Sequence, residues 1–316
     1  MRLEDQFWEG SSMINIYIDC KMIRGMIEPD ENEQNADTLC IGKAETREQT
    51  LKEFSFSDGS KIKYENTCFE SHKDFDYLYF LVPSEDLTDP KSERIEIYLA
   101  AKTMLLFYED KSLIVETWLE NMLSEDERTV SLQEAFLSLL SLLNTRYLVY
   151  FDQIEDKITD LEDTLANEED KDYVSEISVL RKQLLTLRRY YESMLAVMED
   201  LEENRNGLLN DDDLRLLHFQ TQKAERLYHN TLNLRDYLTQ VREAYQALLD
   251  IEANKVMKLF TVITSIFLPL TLLVGWYGMN LMMPEITFRY AYPVVILVSV
   301  TIVVGLIIYF KRNRWF

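Results

Sequence analysis

The sequence predicts an α+β membrane protein: a soluble α/β domain, long helices, and two membrane-spanning helices at the C-terminus. Three observations carry this prediction. No charged side chain occurs in residues 259–284 or in residues 290–310. Residues 91–268 contain no proline and a single glycine, which is typical of long helices. Before residue 125, β-branched and aromatic runs bounded by turn residues indicate strands.

The charge separates the soluble region from the membrane region. The net charge is −22, but residues 1–252 hold 54 of the 55 acidic and 27 of the 33 basic side chains, a net of −27. Such a surface repels phosphates, so we expect no nucleic-acid partner. The three cysteines form no CxxC pair, which favours a reducing compartment over a disulfide framework.

Residues 1–125 are predicted to form a cytoplasmic α/β domain. Its candidate strands are the runs INIYID, FDYLYFLV, IEIYLA and TMLLFY. Their texture fits strands, but the pattern leaves the strand order undetermined.

Residues 126–210 are predicted to form a long antiparallel helix pair. Ser131 and Glu134 form a capping-box signature, so the first helix is expected over about 131–168. The second is expected over about 172–205, ending at Asn206-Gly207.

A third helix begins at the acidic run Asp211–Asp213 and has no stop before the first membrane span. Residues 211–258 are therefore predicted to be a cytoplasmic stalk helix that continues into the membrane.

Residues 259–316 are predicted to hold two transmembrane helices, over 259–277 and 292–310, joined by an outer loop over 278–291. Each span approaches the roughly 20 apolar residues that cross the bilayer. Two buried core helices of a soluble protein are the alternative. Basic residues precede the first span and follow the second. By the positive-inside rule, we expect both termini and the basic C-terminal tail to lie in the cytoplasm of a cell-membrane protein.

One face of the predicted stalk and first span is polar. At about 100° per residue, the stripe continues into the membrane in steps of three and four. Its members are Asn254, Met257, Thr261, Thr264, Leu268, Thr271 and Gly275. One interpretation is a pore wall made by several copies of this helix. The other is a packing surface, because threonine is tolerated in membrane helices when it bonds to its own backbone.

The first span ends in Tyr277-Gly278-Met279-Asn280, followed closely by Met283-Pro284-Glu285. In a protein with two C-terminal spans, a short loop and a basic tail, this signature resembles the CorA family of magnesium transporters. The resemblance covers the whole architecture and is closest from Asn254 onward. It implies a homopentamer in the lipid bilayer, with the stalk helix continuous with the first span.

The resemblance also implies that Gly278, Met279 and Asn280 form a selectivity filter. Mg²⁺ gives up its water reluctantly, so a ring of Asn280 amides suits the hydrated ion. Without the family context, Asn280 would be interpreted as a helix C-cap.

Several further residues are candidates along the same path. In the family the gate lies at the cytoplasmic end of the pore, which here corresponds to Asn254, Met257 and Phe260. Phe260 is slightly off the stripe, and packing against the second span is its alternative. Glu285 in the outer loop is a candidate for attracting cations, with simple solvation as the alternative, and Asp250 is a candidate acidic ring at the inner mouth.

The predicted function is membrane-potential-driven magnesium transport, with Co²⁺ and Ni²⁺ as further candidate ions. The family resemblance implies that intracellular Mg²⁺ bound between the acidic domains closes the channel, but no regulatory ligand can be assigned. The plain alternative is that this charge only keeps the domain soluble.

Two other functions remain open. One is transport of Zn²⁺ or another divalent cation by the same fold, although the stripe lacks the His and Cys that favour zinc. The other is a membrane-anchored coiled-coil scaffold. No phosphate loop, nucleophile motif or clustered His/Asp/Glu set suggests an enzyme.

Overall fold

A computed structural model describes most of the chain: residues 14–18, 21–24, 37–54, 56, 66–109, 112–124, 131–166, 173–279, 290–313 and 315. The chain divides into two compact units, residues 1–239 and residues 240–316. The boundary falls inside a helix that contributes to both units.

The first unit contains a seven-stranded mixed sheet. Its strands are β1 (Ile14–Ile18), β2 (Lys21–Arg24), β3 (Asp37–Lys43), β4 (Cys68–Ser71), β5 (Asp76–Pro83), β6 (Ser92–Leu99) and β7 (Thr103–Tyr108). The order is β2-β1-β3-β7-β6-β5-β4. β3 is parallel to its neighbours β1 and β7, and the other neighbouring pairs are antiparallel. The four predicted strands are confirmed as β1, β5, β6 and β7, whereas β2, β3 and β4 were not predicted.

Both faces of the sheet are covered at β5, the strand next to the edge strand β4. In β5, seven of eight residues are buried, although successive side chains point to opposite faces. The sequence of this strand, DYLYFLVP, accordingly reads as a continuous apolar run.

In the described residues, one short helix lies between β3 and β4 in the sequence, and the other helices follow β7. They are α1 (Arg47–Glu53), α2 (Leu113–Ser124), α3 (Leu132–Thr145), α4 (Leu148–Ala166), α5 (Tyr173–Glu202), α6 (Asp211–Tyr277) and α7 (Ala291–Arg312). The predicted continuity of the third long helix with the first span is confirmed, since α6 runs unbroken for 67 residues. The fold class is therefore the predicted one, a mixed α+β part followed by long helices and two apolar C-terminal helices.

The capping box at the start of α3 is confirmed. The backbone N–H of Glu134 donates to Ser131 Oγ at 3.1 Å, and the backbone N–H of Ser131 donates to Glu134 Oε2 at 2.9 Å. Two N–H groups that have no partner within the helix are thereby satisfied.

The sequence predicted one continuous helix over about 131–168, and this prediction is wrong. The structure has two helices, α3 and α4, separated at Arg146-Tyr147. Two tyrosines of α5 bond to carbonyls just before the break. Tyr190 donates its hydroxyl to Leu143 O at 2.8 Å, and Tyr191 donates to Asn144 O at 3.2 Å. In a continuous helix these two carbonyls would accept hydrogen bonds from the backbone N–H groups four residues later, so the tyrosine hydroxyls compete for the same acceptors. The side chain of Tyr147 is buried next to them and donates to Pro83 O.

The turn between α5 and α6 is fixed to the sheet. Asn204 and Gly207 adopt the left-handed conformation, with φ of 44° and 62°. Between them, Asn206 Nδ2 donates to Asp76 Oδ1 at 2.8 Å and to the carbonyl of His72 at 2.7 Å. The helix that carries the predicted stripe therefore begins next to a turn that is hydrogen-bonded, through Asn206, to the β4–β5 hairpin.

Asn210 caps the N-terminus of α6. Its Oδ1 accepts from the backbone N–H groups of Asp212 and Asp213, both at 2.9 Å. The three aspartates of the first turn also favour this position because the N-terminus of a helix carries partial positive charge.

Candidate functional site

The predicted stripe lies on α6 in the second unit, and every member is exposed in the single chain. Exposure reaches 64% for Met257 and 71% for Leu268. The other members are also exposed: Asn254, Thr261, Thr264, Thr271 and Gly275. Asp250 and Phe260, which were predicted to lie beside the stripe, are exposed as well. The structure thus brings these residues onto one helix, but in one chain nothing encloses them.

The covered face of the first span is a different one. Within 259–277, the residues that are at least partly covered are Val262, Ser265, Ile266, Pro269, Leu270 and Leu273. On α7 the covered residues recur with the same spacing, at Ala291, Val295, Ser299, Ile302, Val303, Leu306 and Phe310. Both helices belong to the second unit, and partly covered faces of this kind are what two helices of one hairpin present when they pack together.

The stripe points away from this contact. At about 100° per residue, its centre lies roughly 150° from the centre of the covered face. Phe260 is 62% exposed and lies off the covered face, so it does not pack against the second span within the chain. The polar face of α6 is therefore available to lipid, water or other copies of the chain.

The three threonines of the stripe bond to their own helix. Thr261 Oγ1 donates to Met257 O, Thr264 Oγ1 to Phe260 O, and Thr271 Oγ1 to Phe267 O, each at 2.8 Å. This is the geometry that lets a membrane helix carry hydroxyls at low cost. It is equally compatible with a wet wall, because each threonine is exposed in the single chain.

Pro269 lies inside α6. Proline has no N–H, so the carbonyl of Ser265, four residues earlier, loses its usual helical donor. This position belongs to the face covered by α7, and any bend here lies within the span.

The outer end of α6 is shaped by Gly278. Its N–H donates to Val274 O at 2.8 Å, and the N–H of Met279 donates to Trp276 O at 3.3 Å. A Cβ on Gly278 would lie only 2.8 Å from Val274 O, a backbone atom that cannot move freely. Glycine is therefore required for this close approach at the helix end. Asn280 and Glu285 lie outside the described residues.

A groove runs up to this end along the stripe. It is lined by Leu268, Thr271, Leu272, Gly275, Trp276 and Met279. Leu272 and Trp276 were not predicted for this surface. Their position one residue after Thr271 and Gly275 is the only sequence signal that could have suggested them.

The predicted regulatory role has no assigned ligands. In the part of the chain that the structure describes, no group of three or more His, Cys, Asp or Glu side chains is arranged to hold a metal ion. His229 Nε2 lies 4.0 Å from Glu225 Oε1 on the exposed surface of α6.

Among the residues that the structure describes, two helices are long and apolar enough to cross a membrane. They are α6 and α7, and only 6% of the most apolar stretch of each is buried. The core helices of a soluble protein are mostly buried, so the soluble alternative does not fit these two.

Comparison with known proteins agrees with the architecture. Residues 48–312 match the family described as CorA-like Mg²⁺ transporter protein. The cobalt/magnesium transport protein CorA of Thermotoga maritima is 28% identical over 262 residues, covering 80% of this chain and 71% of that protein. The zinc transport protein ZntB of Yersinia pseudotuberculosis is 28% identical over 170 residues, about half of each chain.

The fold also matches a solved structure. The CorA magnesium transporter from Methanocaldococcus jannaschii superposes with a TM-score of 0.73 at 21% identity, covering 88% of this chain and 90% of that one. From the family match over most of its length, the chain belongs to the CorA-like family of Mg²⁺ transporter proteins, and so to the membrane-embedded divalent cation transporters.

Proposed function

We propose that the chain is one protomer of a homopentameric Mg²⁺ channel in the cell membrane, in which five copies of α6 surround the pore. One chain contributes two spans, which are too few to enclose a path for a hydrated ion. The membrane potential supplies about 2.3 kcal/mol per charge per 100 mV, twice that for a divalent ion, so no chemical energy source is needed.

One observation carries the proposal. The face of α6 with the threonines is exposed in the single chain and lies on the opposite side of the helix from the partly covered face. A face used only to pack the hairpin of one chain would lie against α7. Small and polar residues on an uncovered membrane face favour contact with other copies or with water.

The outer end of the pore is proposed to be the selectivity filter, formed by Gly278, Met279 and Asn280. The close approach of Gly278 to Val274 O supports a backbone that has to take a specific path here. Five Asn280 amides would contact the water shell of Mg²⁺ without stripping it. Glu285 is proposed to raise the local cation concentration at this mouth.

The inner end of the pore is proposed to be the gate. Met257 and Phe260, both more than 60% exposed in the chain, would form apolar collars that close by excluding water. Asn254 and Asp250 lie before these collars and would face the cytoplasm.

Orientation and regulation complete the proposal. Lys255 and Lys258 precede the first span, and Lys311 and Arg312 end the second, so both termini are placed in the cytoplasm. Intracellular Mg²⁺ bound between neighbouring acidic domains would offset their repulsion and favour the closed state.

Zinc transport is the second candidate, since a zinc transport protein is among the relatives. The stripe offers oxygen atoms and one thioether as metal ligands but no imidazole or thiolate, which favours Mg²⁺ over Zn²⁺. A membrane-anchored scaffold is not favoured, because the family is one of transporters.

The deciding experiment is ion flux into proteoliposomes that contain the purified full chain. Mg²⁺ and Zn²⁺ are supplied separately, with and without a proton gradient. We expect Mg²⁺ influx that follows the membrane potential. Proton-coupled Zn²⁺ influx without Mg²⁺ influx would replace the proposal with the zinc candidate.

A further inference from the structure

Four cationic side chains flank the ends of the two spans that are proposed to lie at the cytoplasmic surface. We call them the inner-end cations: Lys255 and Lys258 of α6, and Lys311 and Arg312 of α7. All four are exposed, and each pair lies just beyond the covered face of its own helix, which begins at Val262 in α6 and ends at Phe310 in α7. Because α6 and α7 are consecutive spans, these two ends lie on the same side of a membrane that both helices cross.

The two lysines of α6 lie on the side of the partly covered face, not on the side of the stripe. At about 100° per residue, Lys255 and Lys258 are about 20° and 40° from Val262 around the helix axis. The centre of the stripe is about 90° or more from both lysines. The lysines therefore continue the partly covered face past its end, at the level where the span begins.

The inner-end cations have no anionic partner within the part of the chain that the structure describes. Asp250 and Glu252, the nearest carboxylates along the chain, form no ion pair with Lys255 or Lys258. After Glu252, the sequence contains six basic side chains and a single acidic one, Glu285. The positive charge at this level is therefore left for a partner outside the chain to neutralise.

The segment after α7 turns back and places an aromatic ring beside these cations. The backbone N–H of Trp315 donates to Phe310 O at 3.1 Å, and the N–H of Asn313 donates to Tyr309 O at the same distance. The rings of Trp315 and Phe310 pack with their centroids 5.3 Å apart. Trp315 nevertheless stays 37% exposed. A partly exposed indole at the end of a span is typical of the level of lipid headgroups.

We propose that the inner-end cations and Trp315 form a binding site for the headgroups of anionic phospholipids. The phosphate of such a lipid is the charged partner that the cations lack, and basic clusters at the cytoplasmic ends of membrane helices bind anionic headgroups. A zwitterionic phospholipid offers the same phosphate, but its own ammonium group offsets the charge, so it fits the site less well.

The positive-inside rule explains only part of this arrangement. It accounts for the side of the membrane on which basic residues lie. It does not require that the cations of two helices lie at the ends of their covered faces, have no carboxylate partner and lie beside a tryptophan that is folded back. The inference concerns the lipid rather than the ion, so it stands or fails independently of the proposed channel.

The test uses Trp315 as a reporter in the full-length protein. The protein is reconstituted into vesicles of phosphatidylglycerol and phosphatidylcholine in equal amounts, and one lipid or the other carries bromine atoms near the carbonyl end of its acyl chains. Bromine quenches tryptophan fluorescence only at short range. The chain has four tryptophans, so the contribution of Trp315 is obtained by subtracting the fluorescence of the Trp315→Phe protein.

We expect phosphatidylglycerol to bind next to Trp315 about tenfold more strongly than phosphatidylcholine, since each Lys or Arg near an anionic surface contributes roughly fivefold. The preference is expected to decrease as salt screens the charges. Soluble glycerol phosphate is expected to leave the quenching unchanged, because it lacks the acyl chains that hold a headgroup at this level.

Charge variants on α6 locate the site. Replacing both Lys255 and Lys258 by glutamine is expected to reduce the tenfold preference to about twofold, whereas replacing both by arginine is expected to preserve it. If the glutamine variant does not assemble, Lys311→Gln with Arg312→Gln on α7 is the second variant, with the same expected loss.

The same helix offers a matched control. Lys223 and Arg226 have the same spacing as Lys255 and Lys258, and they precede them by 32 residues on α6, roughly 50 Å along the helix. Lys223→Gln with Arg226→Gln removes the same number of charges from the protein. We expect this variant to keep the full preference for phosphatidylglycerol.

Each outcome bears on the lipid site. Equal quenching by the two brominated lipids, a preference that survives both glutamine variants, or an equal loss in the Lys223 and Arg226 control would each overturn it. Displacement by glycerol phosphate would also overturn it, by showing a site for free phosphate. These readouts are independent of flux, so a protein that binds phosphatidylglycerol but passes no Mg²⁺ would refute the proposed channel and leave the lipid site in place.

Discussion

Gly278 shows how one missing methyl group can matter at the end of a long helix. A Cβ there would come within 2.8 Å of the Val274 carbonyl oxygen. Relief would require the end of α6 to shift, and the residues proposed as the filter follow directly. Geometry errors of about 1 Å commonly change binding and rates strongly.

We therefore expect Gly278→Ala to reduce Mg²⁺ influx by about tenfold or more while the protein still assembles. Influx into proteoliposomes, normalised to protein content, provides the measurement. Gly305→Ala on α7 is the matched control, because a Cβ there meets nothing within 4 Å. Equal influx for the two variants would argue that the backbone path at 278 does not matter for transport.

A substitution at Met257 tests the gate hypothesis directly. It lies on the uncovered stripe with 64% of its surface accessible. If five Met257 side chains exclude water, Met257→Ser should hydrate the collar and let Mg²⁺ leak at high internal Mg²⁺. We expect a leak about tenfold above background, corresponding to roughly 1.4 kcal/mol off the barrier.

The control for Met257 is Ile263→Ser, on a part of the span that faces neither α7 nor the stripe. This change is expected to affect stability more than flux. Influx measured at high internal Mg²⁺ compares the two directly. A Met257→Ser protein no leakier than Ile263→Ser would remove Met257 from the gate.

At the scale of elements, the turn from α5 to α6 ties a buried carboxylate to the start of the long helix. Asp76 is 2% exposed and accepts hydrogen bonds from Ser71 Oγ at 2.7 Å and Asn206 Nδ2 at 2.8 Å. Burial raises the pKa of Asp76 above its ordinary value of 3.8, although both hydrogen bonds and the nearby charges of His72 and Arg205 oppose the rise.

A raised pKa in the folded state means that the folded chain keeps its proton to higher pH than the unfolded chain. The contribution of Asp76 to stability is therefore fullest below pH 3.8 and falls as the pH rises through the pKa of the folded state. Asp76→Asn keeps an acceptor oxygen and removes the charge. We expect the thermal midpoint of the soluble unit to fall less in this variant than in the unmodified protein when the pH rises from about 4 to 6.

Thermal unfolding of the full-length protein in detergent, followed by circular dichroism at several pH values, measures this difference. Asn206→Ala serves as the comparison, since it removes a donor but leaves the carboxyl group titratable. A parallel pH dependence in Asp76→Asn and the unmodified protein would show that Asp76 does not titrate differently on folding.

Local signals predicted much of this architecture. The capping box at Ser131, the stop at Asn206-Gly207 and the acidic start at Asp211 each depend on residues within a few positions, so the sequence displays them directly. The stripe on α6 was also predictable, because helical period is a local property. Whether that stripe faces α7 was not, since the answer depends on how two helices pack.

Other features depend on distant residues. The break between α3 and α4 involves hydroxyls of Tyr190 and Tyr191, which come from α5, more than 40 residues later. A short strand such as β4, CFES, is too brief for its pattern to stand out from a loop. The hydrogen bond from Asn206 to Asp76 joins positions 130 residues apart, and the sequence around Asn206 shows only the end of a helix.

At the scale of the whole molecule, the proposed assembly is a homopentamer. The two C-terminal helices leave most of their apolar surface exposed in one chain, which is appropriate for contact with lipid and other copies. We expect the detergent-solubilised complex to have five times the 37.4 kDa mass of the chain. Light scattering coupled to size exclusion measures it, and a monomer or dimer that still conducts Mg²⁺ would contradict the pore built from α6.

The bonds between the threonines and their own backbone also matter during biosynthesis. A newly made chain enters the bilayer alone, and the polar stripe then faces lipid until other copies arrive. Because the hydroxyls of Thr261, Thr264 and Thr271 already donate to carbonyls of the same helix, the stripe carries no unsatisfied polar hydrogen into hydrocarbon. The unassembled protomer can therefore stay in the membrane as an ordinary helical hairpin, and in the proposed assembly water would reach the stripe only after the other copies have bound.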